Sequence, residues 1–263
     1  MRSLILAVQF LTRLPTPQLK DFDPAWLADA ARWFAPVGLL VGAVLWLTVT
    51  AGSLLDPWLG ALLGLLAWLW VTGGLHLDGL ADLADAQGAA HRSRERFLEV
   101  LKDPHLGSFG VMSMATQLLT KLVLLMLVVK FYSPDAPISP AALRLSGPPS
   151  GLPTLAAGLV PLLLVPAWAR LFTVAWSATL PSLAPGSGER FAWRPHWPSF
   201  WLNAALLAAA SYWLAPALLL APLAGLWWWA YLKRKLGGMT GDCLGAGIEL
   251  CESLLLLLLL IPH

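Results

Sequence analysis

The sequence predicts an all-α, polytopic integral membrane protein: a helical bundle of about seven transmembrane helices with its N-terminus in the cytoplasm. Three observations predict it. Of 263 residues, 58% are hydrophobic and only 12% charged, against roughly 25% charged in an ordinary soluble domain, and the mean hydropathy is +0.69. Apolar runs recur near 33–55, 58–75, 109–131, 153–176, 199–214, 217–232 and 243–261, several of them close to the ~20 residues a helix needs to cross a hydrocarbon core. Finally, positive charge is asymmetric. With the N-terminus inside, all of the 17 Lys and Arg except Lys121, Lys130, Arg144 and Arg170 fall in inner segments, and these residues favour cytoplasmic loops. The C-terminus then lies outside.

Taken in order, MRSLILAVQFLTRLP has too short an apolar run to span. Arg13 interrupts it and no small-x-small cleavage site follows, so it reads as a retained interfacial helix rather than a signal peptide. The run 199–232 is too long for one ordinary helix and carries Pro216 and Pro222. Proline removes a backbone donor and breaks a helix, so a tight hairpin is expected near Ala215–Pro216. SPDAPISPAALRLSGPPSGLP is proline-rich and nearly uncharged, and reads as an irregular outer linker. Cys243 and Cys251 stand eight residues apart, about 12 Å along a helix, too far for a disulfide. A net charge of +2 implies no nucleic-acid partner. One membrane-embedded domain, 1–263, is the simplest organisation.

Span 58–75 runs inward under this topology, so GGLHLDGLADLADA emerges at the cytoplasmic interface. Asp78, Asp82 and Asp85 follow at i, i+4 and i+7, within a ~60° arc of one helix face. Like charges so placed repel, and a divalent cation resolves the conflict; magnesium is commonly held by one or two carboxylates together with substrate phosphates. LKDPHLGSFGVMSM closes the same loop. Lys102 and Asp103 precede Gly107, Ser108 and Gly110 at the start of a span, where backbone N–H groups attract phosphate. A third cluster, LKRKLGGMTGDCLGAGIELCE, places Asp242, Glu249 and Glu252 on one side of the last helix. Acids there usually face a bundle interior or a water-filled cavity. Lys121 and Arg170 lie inside spans, and burying either without a partner is costly, so each is expected to meet an acid or a bound phosphate. For His76 and His105 a hydrogen-bonding role is expected. Three clusters on one membrane face point to a cytoplasmic-face, divalent-metal site for a phosphorylated substrate.

At these residues the chain resembles the cobalamin synthase family, the adenosylcobinamide-GDP ribazoletransferases. FLTRLP, WFAPVGLLVG at 33–42, GGLHLDGLADLADA, LKDPHLGSFGV and GGMTGDCLGAGIELCE are similar to that family's motifs in the same order, over most of the chain. The resemblance implies a transferase of the cell (inner) membrane in which the 3′-hydroxyl of α-ribazole, or of its 5′-phosphate, attacks adenosylcobinamide-GDP and releases GMP. It implies Mg²⁺ as cofactor, bound by Asp78, Asp82 and Asp85 with help from Asp103 or Asp242. One of these carboxylates could instead serve as general base. Lys102, Asp103, Ser108, Lys121, Arg170, Asp242, Glu249 and Glu252 are the expected substrate-side residues. Association with other cobalamin-assembly enzymes at the same membrane is compatible with this.

Two other classes share parts of the pattern. CDP-alcohol phosphotransferases also set an Asp-Gly-rich motif at a membrane helix end, but Asp82 stands where theirs has arginine and their later Gly-x-x-x-Asp-x-x-x-Asp portion is absent. An ion-coupled transporter could use intramembrane acids with Lys121 and Arg170. Its inverted repeat and midplane acids are missing from the sequence.

Overall fold

The computed structural model describes residues 2–19, 23, 25–90, 93–133, 152–184, 190 and 195–262. The proline-rich linker, apart from its ends, and Lys20, Arg92, Arg144 and Arg194 of the charge asymmetry lie outside them. Twelve helices are described: α1 (Arg2–Leu11), α2 (Ala25–Ala30), α3 (Phe34–Ser53), α4 (Pro57–Thr72), α5 (Leu75–Ala89), α6 (Arg94–Val100), α7 (Ser108–Tyr132), α8 (Leu152–Leu159), α9 (Leu164–Thr179), α10 (Trp197–Leu214), α11 (Ala221–Tyr231) and α12 (Gly241–Leu258). The one β-contact among the described residues is an isolated bridge between Ser182 and Met239. It ties the segment before α12 to the chain leaving α9.

Local chemistry sets the helix ends. Asp56 caps α4, its Oδ1 accepting from the N–H of Trp58 (2.8 Å) and Leu59 (3.2 Å), and Pro57 fits the first position because no helical N–H is needed there. Thr240 caps α12 by accepting from Cys243 N–H at 3.3 Å. The predicted break falls where Pro216 stands: α10 ends at Leu214, a short 3₁₀ turn covers Pro216–Leu220, and α11 resumes with Pro222 in its first turn.

All seven predicted apolar runs are helical, but length and composition qualify fewer of them as spans. Trp26–Ser53, Ser108–Tyr132 and Thr154–Thr179 are long and apolar enough to cross a membrane, and the bent pair α4–α5 makes a fourth if counted as one. Two of the remaining runs fall short for visible reasons. α11 has only 11 residues, and α12 carries Asp242, Glu249 and Glu252. Large apolar side chains face outward along the bundle, among them Leu47, Leu66, Met112, Leu119, Trp201, Leu206, Leu223 and Leu226. An apolar exterior of this extent suits lipid rather than water.

Helices α3, α4, α7, α9 and α12 surround one extended core, and a smaller cluster joins α1 and α2 to the start of α3. Small residues let the helices close on one another. A Cβ on Gly38 would lie 2.5 Å from the Cα of Ala167 on α9. Cys243 and Cys251 are both free and buried, as their spacing requires.

Candidate active site

The site is built on a sharp turn between α4 and α5. Gly73 (φ 66°) and Gly74 (φ 71°) are both left-handed, a conformation that costs glycine nothing and other residues 1–2 kcal/mol or so. The two helices therefore meet at 85°. α5 thus turns away from the axis of α4 and packs against α7 and α12, carrying the aspartates with it.

The three aspartates meet three environments. Asp78 is exposed, Asp82 half-buried and Asp85 buried. Asp85 accepts from Gly107 N–H (2.7 Å) and Gly110 N–H (2.8 Å) at the start of α7. Two of the backbone donors that the sequence suggested for a phosphate, at Gly107 and Gly110, are thus occupied by a carboxylate of the chain itself, which fastens α7 to α5. On the other side of α5, a Cβ on Gly79 would lie 3.0 Å from the Cα and O of Asp242. This close approach sets the first turn of α12 beside Asp78 and Asp82. Burial, reinforced by the carboxylates of Asp78, Asp242 and Asp85, pushes the Asp82 carboxyl up to about 6. A bound cation would relieve that crowding.

Among the described residues, no group of three or more His, Cys, Asp or Glu is placed to hold a metal ion. The α5 surface thus offers a cation at most two carboxylates open to solvent, Asp78 and Asp82. That fits magnesium, which keeps several waters and completes its shell with substrate phosphate, better than zinc, which takes nitrogen and sulfur ligands in a closed tetrahedron.

Lys102 and Asp103 lie in the exposed turn before α7, and Ser108 is exposed at its first position. Asp103 accepts from His105 N–H at 3.0 Å, and His105 Nδ1 lies 2.6 Å from the same oxygen. These bonds hold the Asp103 carboxyl below the usual range. Among the described residues neither Lys102 nor Asp103 bonds to Asp78, Asp82 or Asp242.

The intramembrane charges find one another, as their burial demanded. Lys121 Nζ lies 2.6 Å from Glu249 Oε2 and 2.5 Å from Glu252 Oε2, and Arg170 donates to the other oxygen of Glu252. Gln117 donates to Glu249 Oε2 at 3.1 Å, and Lys121 sits 4.2 Å from the ring centre of Trp68. Two cations and two acids cancel. None of the four lines the two cavities beside the aspartates.

The larger of those cavities, about 590 Å³, is bordered by Gln9, Thr12, Arg13, Gly73, Gly74 and Asp78. Arg13 is the residue that sequence reasoning missed. Its backbone N–H donates to Val71 O at 2.8 Å, and its side chain lies so close to Gly73 that a Cβ there would fall 2.2 Å from Arg13 Nε. An exposed guanidinium thus faces the same space as Asp78, with no ion pair among the described residues. The motif FLTRLP held the signal; that the N-terminal segment returns over the Gly73–Gly74 turn could not be read from it.

These features define a helical membrane protein with a carboxylate-rich, solvent-open site at one end of the bundle. The chain belongs to the CobS family, described as cobalamin-5-phosphate synthase, which matches residues 3–260. It is 60% identical to the adenosylcobinamide-GDP ribazoletransferase of Laribacter hongkongensis over 98% of this chain and 96% of that protein. It is 49% identical to the protein of the same name from Thiobacillus denitrificans, over 98% and 94%, and 47% identical to that of Novosphingobium aromaticivorans, over 98% and 95%. No solved structure matches. Family membership decides among the three readings of the sequence in favour of the first.

Proposed function

We propose that this chain is an adenosylcobinamide-GDP ribazoletransferase, acting at the cytoplasmic face of a cell (inner) membrane in the last joining step of cobalamin synthesis. The observation that carries the reading beyond family membership is the gathering of Asp78, Asp82 and Asp242 at one end of an apolar bundle, near the exposed guanidinium of Arg13. In this reading the seven helical runs span with the N-terminus inside, which puts the aspartates, Lys102 and the Lys233–Lys235 segment on the same side.

Adenosylcobinamide-GDP is the donor and α-ribazole, or its 5′-phosphate, the acceptor. The acceptor's 3′-hydroxyl oxygen forms a bond to the phosphorus next to the corrinoid, the bond from that phosphorus to GMP breaks, and GMP leaves with the electron pair. The hydroxyl proton passes to a carboxylate. Asp242 is suited to take it, because it borders the smaller cavity and not the one that holds Arg13. Arg13 grips the diphosphate, with Lys102, Asp103 and Ser108 at the outer rim. Asp78 and Asp82 are the Mg²⁺ ligands. Mg²⁺, when bound, supplies the charge that offsets the diphosphate. Asp85 serves them by holding α5 and α7 in register.

Purified protein in liposomes is expected to release GMP and form the corrinoid product in equal amounts from these two substrates, and chelation of Mg²⁺ is expected to stop both. Release of neither by well-folded protein overturns the assignment. Arg13→Ala is expected to raise KM for adenosylcobinamide-GDP about tenfold and to leave KM for α-ribazole unchanged. A charge-assisted hydrogen bond contributes about 1.5 kcal/mol, which is roughly that factor.

A further inference from the structure

A second, smaller cavity of about 140 Å³ adjoins the one that holds Arg13, with Phe10 and Leu75 lining both. Its wall is apolar and aromatic where Phe10, Phe34 and Ile248 contribute, and the Phe10 and Phe34 rings are parallel to within 1°. Three residues with polar side chains border it: Thr173, His76 and Asp242. The Thr173 hydroxyl spends its proton on Arg170 O at 2.7 Å. That leaves His76 as the side-chain donor and Asp242 as the charged acceptor.

His76 is buried, and its Nδ1 lies 3.4 Å from Arg170 Nη2. A guanidinium can only donate, so Nδ1 is the acceptor and the ring proton sits on Nε2. Arg170 is itself fixed by Glu252. The buried charge network therefore sets the tautomer of one histidine at the cavity wall. No described residue pairs with Nε2. The cavity thus combines an apolar, partly aromatic wall with a neutral histidine and a carboxylate at its border.

We propose that this cavity seats the aromatic base of the acceptor nucleoside: the benzimidazole ring of α-ribazole lies among Phe10, Phe34 and Ile248, its free ring nitrogen accepts from His76 Nε2–H, and the ribose hydroxyl is left beside Asp242. The assignment rests on the reaction proposed above and names the subsite for one of its two substrates. The chemistry excludes the other's parts. A corrin macrocycle is far larger than this volume. Guanine brings three acceptors, O6, N3 and N7, that each need a donor once buried; Asp242 can only accept from its N–H and amino group, and His76 supplies one neutral N–H. A benzimidazole needs one donor and an apolar wall. The two cavities meet at Phe10 and Leu75, which line both, so the two substrates are seated side by side at the first turn of α5.

Three kinetic measurements on protein in liposomes test this. Free 5,6-dimethylbenzimidazole is expected to inhibit wild type competitively against α-ribazole and not against adenosylcobinamide-GDP. Leu244→Phe, which fills the cavity, is expected to raise KM for α-ribazole at least about tenfold with KM for adenosylcobinamide-GDP within about twofold. His76→Leu is expected to abolish the preference for α-ribazole over an indole riboside, which lacks the ring-nitrogen acceptor. Inhibition competitive against the corrinoid overturns the proposal, because the donor then fills the cavity. Normal turnover with unchanged KM in Leu244→Phe and no effect of the free base also overturns it, and leaves a lipid chain as occupant. Failure of the wild type to release GMP overturns the reaction itself; the inhibition pattern on wild type does not depend on any variant folding.

Discussion

Asp82→Asn is expected to lower kcat by about 10²–10³-fold or more, as removal of a charge-stabilising group commonly does, while the protein still inserts and melts at an unchanged or higher temperature. Asp82 is only half-buried, so its amide replacement packs in the same space. Its negative charge is opposed in the resting protein by burial and by Asp78, Asp242 and Asp85. Removing it relieves repulsion and costs the fold nothing, yet it deletes a ligand for the cation. Asp85→Asn should behave in the opposite way. Asp85 uses both oxygens on Gly107 and Gly110, and an amide can accept through only one, so that variant should lose stability as well as turnover. Paired thermal melts and GMP-release assays separate the two roles. Near-normal turnover of Asp82→Asn would remove the proposed metal site from the α5 surface.

Glu252→Ala carries the largest expected cost to stability. The Glu252 side chain is fully buried between Lys121 and Arg170, and the Arg170 side chain is equally buried. Deleting the acid leaves Arg170 with no carboxylate and Lys121 with Glu249 alone. Breaking a buried ion pair by removing one partner costs about 3–5 kcal/mol. Unfolding in detergent, followed by tryptophan fluorescence, is expected to shift to markedly lower temperature, with loss of correctly inserted protein. Glu252→Gln keeps the shape and a single acceptor and should fall between. A Glu252→Ala protein as stable as wild type would show that these charges are not partners in the membrane.

Much of this was legible in sequence because it follows from patterns with a fixed period. The apolar runs and the break at Pro216 needed only composition and helical spacing, whereas the acids of the last helix part company: Asp242 borders the cavity and Glu249 and Glu252 pair with Lys121 and Arg170. The need of Lys121 and Arg170 for acidic partners followed from the cost of burial, and the ion pairs answer it. What could not be read depends on tertiary approach. Asp78, Asp82 and Asp85 look equivalent at i, i+4 and i+7, yet Gly107 and Gly110, more than 20 residues away in sequence, claim Asp85. Arg13 belongs to a short N-terminal helix whose position over Gly73 no local pattern fixes. The 85° turn was hinted at by consecutive glycines, but its direction depends on α12 closing against Gly79. The number of spans was harder still, since a run of about 18 residues with three acids is neither clearly a span nor clearly a surface helix.

The buried charge network also bears on how the protein is made. Lys121 and Arg170 are synthesised on α7 and α9, whereas the two acids that neutralise them arrive on α12, the last helix described. Until α12 enters, the earlier helices hold two cations that the hydrocarbon disfavours, and α12 alone would be a poor candidate for insertion because it brings two anions. Each half makes the other's burial tolerable. Assembly is therefore expected to stay incomplete, with the cations of α7 and α9 kept near water, until the final helix pairs all four charges in one cooperative step.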